Sequence, residues 1–223
     1  MHDRYTDEGR STMFKKYFGK TRLSHSITEL VIPAAIKNCS HLFTRYDACK
    51  NSKNNEVNNT FVDILMSTTA APTFFPPHKI GNKAFIDGVM YLNNPASTAY
   101  DEAIRYNVPK EKISVLSLGT GYYLPDPSNP DQYSNLLFWA QEQPKMMISA
   151  QEYETDCKMY RELKNRYQRW QVFFEEPIRF DDYGSIPNLL ELGYQYIEEL
   201  DCSDENPINT LVESFDLVKC FLV

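Results

Sequence analysis

Three features of the sequence predict an α/β fold. The first is "KISVLSLGTG" at 112–121, a β-rich run ending in a glycine turn. Such a run is the pattern of a strand buried on both faces of a mostly parallel sheet, with helices above and below. The second is the passage from "AFI" at 84–86 through Asp87-Gly88 to Asn94-Pro95. There Asn94 offers a cap, and Pro95 takes a first helical position opening "ASTAYDEAIRYN", with Ala96, Ala99, Ala103 and Ile104 toward one side. The third is uniformity: no internal repeat, coiled-coil heptad or composition shift marks a boundary, so residues 1–223 read as one α/β domain.

The remaining elements follow in chain order. "LVIPAAI" at 30–36 and "HLFTRY" at 41–46 read as short strands, and the Asn-rich segment 47–60 reads as a loop. Thr60 can cap a helix over "FVDILMSTTAA", with Asp63 three residues on, Phe61, Ile64 and Leu65 on one face, and Pro72 as the stop. A Pro-rich connection then leads into the strand that ends at Asp87. Residues 131–165 read as helical with a break at Pro144. "YQRWQVFF" at 167–174 reads as one strand with Trp170, Val172 and Phe174 on a common face. Two helices close the chain, "NLLELGYQYIEEL" and "NTLVESFDLVKCF", separated by Pro207.

Composition narrows the function classes. The chain is 42% hydrophobic and 24% charged, ordinary for a globular protein with a real core. Its 30 acidic residues exceed its 23 basic ones, for a net charge of −7, which argues against a nucleic-acid partner needing a basic face. Cys39, Cys49, Cys157, Cys202 and Cys220 never form a C-x-x-C pair, so they suggest neither a disulfide framework nor a zinc site. Reduced thiols and the lack of a signal-peptide core in the first twenty residues point to a cytosolic setting. No run is apolar enough to span a bilayer.

Most reactive-looking residues have plain readings. Gly119-Thr120-Gly121 follows a strand, but it lacks the third glycine of a dinucleotide fingerprint and the Lys-Ser/Thr of a P-loop, so it reads as a tight turn. His2, His25, His41 and His78 have no metal-ligand spacing, and nothing points to a Ser-His-Asp triad. The glycines stand at 9, 19, 81, 88, 119, 121, 184 and 193, none four apart, so the chain contains no G-x-S-x-G elbow. Asp87 is different: a carboxylate where a strand ends and the backbone turns can be aimed at a site, though an isolated Asp-Gly is more often a local turn.

Its neighbours bear on that choice. "STTAAPTFFPP" followed by "FIDGVMYLNNPASTAYDEA" resembles the second half of the patatin-like phospholipase domain, whose pattern runs S-A-A-P-x-x-F-P, then D-G-G or D-G-A, then x-x-N-N-P. "KKYFGKTRLSHSITELVIPA" upstream and "VLSLGTG" and "YQRWQVFF" downstream are similar to further parts of the family, so the resemblance covers almost the whole chain. It implies a layered sheet flanked by helices, related to cytosolic phospholipases and incomplete on its N-terminal side. It also implies lipid acyl hydrolysis through a Ser-Asp dyad, with neither cofactor nor metal. Asp87 matches the dyad aspartate and would be the proton acceptor, with Gly88 and Val89 forming the motif turn.

There are two departures from the pattern. The family's Gly-rich oxyanion loop and its nucleophile elbow have no counterpart in these residues, and each oxyanion donor is worth roughly a hundredfold or more in rate. The chain alone is therefore expected not to hydrolyse lipid. Val89 stands where the family usually has Gly or Ala, and its isopropyl group is expected to crowd the dyad. The resemblance implies an acyl-lipid substrate, a phospholipid or related ester, met at a membrane surface by a cytoplasmic, peripheral protein. The rival expectation is a non-catalytic patatin-like domain that binds lipid or a protein partner.

Overall fold

The structure, a computed structural model, describes residues 4–37, 39–51, 58–123, 136–202 and 207–208. It is mixed α/β and divides into two compact units, Met1–Ala99 with Ala140–Tyr153, and Tyr100–Trp139 with Glu154–Val223.

The first unit is built on a four-stranded sheet. Its strands are β1 (Val31–Ile36), β2 (Cys39–Thr44), β3 (His78–Ile80) and β4 (Lys83–Asp87), in the order β2-β1-β4-β3. Every pairing in it is antiparallel, with Ala34 opposite both His41 and Asp87. The mostly parallel sheet expected from sequence is therefore not what this unit contains. Short connections explain the difference: hairpin-length loops join β1 to β2 and β3 to β4, and a parallel neighbour needs a crossover of a dozen or more residues.

Helices α1 (Glu8–Phe18), α2 (Arg45–Lys50) and α3 (Phe61–Thr68) belong to the same unit. Arg45 and Tyr46, read from sequence as strand, and the residues after them, read as loop, instead form α2. Thr44 decides this, because its side chain accepts the Asp47 N–H and so caps the helix. Thr60 caps α3 in the same way, and the helix ends at Thr68, before Pro72 can act. Val62, Ile64, Met66 and Ser67 of α3 are buried, so it hides more than the single face anticipated. The core joins Leu23, Ala34, Phe43, Ala48, Ile64 and Phe85. Fully burying a side chain such as Ile64 contributes about 1.5–3 kcal/mol.

Helix α4 (Ala96–Arg105) starts where Asn94 and Pro95 place it. Its buried residues are Ala96 and Tyr100, while Ala99 and Ile104 are exposed, so the anticipated face is rotated. The second unit holds two parallel pairs: β5 (Val115–Leu118) with β7 (Tyr167–Trp170), and β6 (Tyr122–Tyr123) with β8 (Phe173–Phe174). The parallel pairing agrees with the sequence, but two-sided burial does not, since Leu118 is 64% exposed. "YQRWQVFF" is two strands rather than one, broken at Gln171-Val172. Helix α5 (Leu136–Leu163) runs through Pro144, so the break expected there from sequence is not present. Helix α6 (Ile186–Cys202) matches the first C-terminal helix, and the second lies outside the described residues. No helix among the described residues is long and apolar enough to cross a membrane.

Candidate active site around Asp87

Asp87 is the last residue of β4, and two neighbours fix its backbone. Its N–H donates to the Ala70 carbonyl at 3.0 Å, and β1 pairs alongside it through Ala34. The chain then turns into a 3₁₀ segment, Gly88–Met90, whose N-cap is Asp87 itself: Oδ1 accepts the Val89 N–H at 2.9 Å. One carboxylate oxygen therefore does the work of a turn aspartate. Among the described residues the other, Oδ2, accepts no hydrogen bond, and no serine hydroxyl is bonded to either.

Burial pushes the Asp87 carboxyl above its usual range, opposed by the Val89 amide and by the charge of Arg10. A carboxylate with a raised proton affinity is a better base near neutral pH. Gly88 is required by a close approach, since a Cβ there would lie 2.6 Å from the Pro33 carbonyl oxygen of β1. Val89 is half-buried and lies outside the left-handed region, so its extra bulk strains no backbone angle. Downstream, buried Asn94 accepts the Ala96 N–H at 3.1 Å and the Pro95 carbonyl accepts the Ala99 N–H at 2.9 Å, which sets the start of α4.

Sequence reasoning missed the residues on the other side of Asp87. Arg10 of α1 donates from one guanidinium nitrogen to the Thr69 carbonyl at 2.6 Å and to Thr69 Oγ1 at 2.7 Å, and from the other to Asp7. Its guanidinium lies 3.9 Å from the centre of the Phe75 ring. Arg4 and Tyr5 add backbone bonds to Thr73 and Phe74. The N-terminal arm and α1 thus grip the "TAAPTFF" segment that carries Ala70. No local pattern could have signalled this, because the partners are far apart in sequence.

The other candidates stay apart from Asp87 chemistry. His41 stacks edge-on against Phe43 and Phe85, and burial lowers its pKa, with Lys83 adding to the effect. His78 lies 3.5 Å from Asp63. His2 falls outside the described residues. No group of His, Cys, Asp and Glu among the described residues could hold a metal. At Gly119 a Cβ would lie 1.2 Å from Gln171 Oε1, and Gly121, at φ +107°, faces the Phe174 ring, so side chains fill the space a phosphate would need.

This arrangement of an aspartate, a tight glycine and a capped helix can be set beside known proteins. The model of the patatin-like phospholipase family matches residues 2–100. Among similar proteins, patatin-like protein 3 of Arabidopsis thaliana is 33% identical over 128 residues, covering 47% of this chain and 29% of that protein. Patatin-like protein 1 of the same plant is 32% identical over 141 residues, covering 53% and 33%. Calcium-independent phospholipase A2-gamma of Rattus norvegicus is 38% identical over 74 residues, covering 32% of this chain and 9% of that protein. The chain thus spans about a third of the length of the plant patatin-like relatives it matches. Asp87, Gly88 and Val89 all fall inside the family match.

Proposed function

We propose that Asp87 is the proton acceptor of a serine–aspartate dyad that hydrolyses acyl-lipid esters, with the serine supplied from outside these 223 residues. The observation that carries this is the half-buried carboxylate at the end of β4, with a raised proton affinity and one oxygen left unused by the turn. In the reaction the serine Oγ–H gives its proton to Asp87 as Oγ attacks the ester carbonyl. The proton then passes to the departing alcohol, leaving an acyl-serine. Water then attacks the acyl-serine, giving its proton to Asp87, which passes it to the serine Oγ as the acyl–Oγ bond breaks, so that the fatty acid leaves and both dyad residues are restored. The substrates are phospholipids or related acyl esters met at a membrane surface from the cytoplasmic side. Without its serine and oxyanion donors the chain is inactive.

The second reading is a non-catalytic domain that binds lipid or protein, favoured by Val89, which stands where the family pattern has Gly or Ala. Translating the genomic sequence upstream of Met1 separates the two. An in-frame Gly-rich loop and elbow support the dyad, and a stop codon with no such exon supports the binding domain. If the elbow is found, the extended chain should release fatty acid from phospholipid vesicles, and Asp87→Asn should reduce this at least about a thousandfold. Full activity in that variant would reject Asp87 as the base.

A further inference from the structure

Arg10 lies on a helix that contributes nothing to the sheet, yet its contacts converge on the segment that holds Asp87. Its side chain is 13% exposed, lies over the Phe75 ring, and makes two bonds to Thr69. The next carbonyl, that of Ala70, accepts the Asp87 N–H. Thr69 Oγ1 in turn donates to the Leu65 carbonyl, so the clamp closes on the last turn of α3. One guanidinium nitrogen holds Thr69 while the other holds Asp7, and the single nitrogen of a lysine cannot reproduce a grip spread over two nitrogens.

We propose that Arg10 is the positioning residue for Asp87: by gripping Thr69 it fixes the Ala70 carbonyl that anchors the Asp87 backbone, and it supplies the positive charge that favours the ionised carboxylate. The role for catalysis rests on the dyad reading above, but the physical link between the two residues does not. Other charges near Asp87 are few. β1 and the Gly88–Met90 turn contain no ionisable side chain, and α3 contributes only Asp63 at its far end, beside His78 of β3. β4 begins with Lys83, and Asp7 and Glu8 sit at the start of α1, Asp7 in an ion pair with Arg10 itself. Arg10 is thus the cation whose charge acts against the burial of Asp87.

The test uses the chain as it is, carrying ¹³C and ¹⁵N labels, with two readouts on Asp87: the titration midpoint of its carboxyl carbon and the exchange rate of its amide hydrogen. Arg10→Met should raise the midpoint and speed exchange of that amide about tenfold, because both the charge and the clamp are gone. Arg10→Lys should keep the midpoint close to that of the parent while exchange is still faster, because it restores the charge but not the hold of one nitrogen on Thr69 while the other is fixed by Asp7. A folded Arg10→Met chain with both quantities unchanged overturns the proposal. Should Arg10→Met not fold, parent-like exchange at Asp87 in Arg10→Lys overturns it equally. Neither readout requires hydrolysis, so an Asp87→Asn enzyme that stayed active would remove the dyad reading and leave this link standing.

Discussion

Asp63 and Asp87 are both aspartates at the start of a helical turn in the same unit, and they are held in opposite ways. At Asp63 the fold supplies partners: His78 stands 3.5 Å away, Thr60 Oγ1 donates to Oδ2 at 2.6 Å, and Thr60 accepts the Asp63 N–H. His78 is the main reason its pKa lies below the usual carboxylate range. Burial opposes this, and Thr60 helps it. At 3.5 Å the His78 contact is at the long limit of a hydrogen bond. At Asp87 burial prevails over one amide and a distant cation, and the proton affinity rises. Asp63 is placed where ionisation stabilises the fold, whereas Asp87 is placed where ionisation costs stability. A group of the second kind is a candidate for a chemical role.

That contrast can be broken or sharpened by substitution. The largest effect should come from Gly88→Ala, because the new methyl meets the Pro33 carbonyl rather than a flexible side chain. Overpacking of this kind costs about 1–3 kcal/mol. Chemical denaturation measures it, and a loss below a few tenths would mean that the β1–β4 edge yields easily. Thr60→Ala should cost about 1 kcal/mol, the usual value of an N-cap, and should also loosen Asp63. An unchanged denaturation midpoint would show that the cap is idle.

Asp63→Asn should cost less than about 1 kcal/mol, because the side chain is 41% exposed and the pair is screened by solvent. Its pH dependence has a definite sign. A lowered carboxylate pKa stabilises the fold above the unfolded value, about 3.9, and that stability is lost as pH falls through the lower folded value. Melting curves of parent and variant should therefore converge in acid. A gap that widened on acidification would reverse the assignment. The smallest effect is expected at Val89→Gly in an active extended chain, where relief of crowding should modestly raise turnover or widen the range of substrates. Identical kinetics would make Val89 neutral.

What was legible in the sequence was local. Thr60 with Asp63, Asn94 with Pro95, and the Asp87-Gly88 turn each encode their geometry within a few residues, and each element begins where those residues place it. What was not legible depends on which distant segment arrives. Gly88 reads as a turn glycine, but its reason is the Pro33 carbonyl brought close by β1. Arg10 carries no local signal, and its place becomes clear only with Thr69 and Phe75 against it. The antiparallel order of the first sheet and the exposure of Leu118 follow from which strands pair, a choice that hydrophobic runs alone do not specify.

If Asp87 is held ionised at the expense of the fold, the stability of Asp87→Asn as a function of pH shows it. The amide keeps an oxygen that can accept the Val89 N–H, so only the charge is removed. A raised folded pKa means that folding tightens the hold of Asp87 on its proton, so the stability this one carboxyl contributes is greatest below about pH 3.9 and is lost as pH rises through the folded value. The account predicts that Asp87→Asn melts higher than the parent at neutral pH and that the difference shrinks to nothing in acid. A variant that melts lower at pH 7 and recovers parity only in acid would show an aspartate working for stability, as Asp63 does, and would contradict the account.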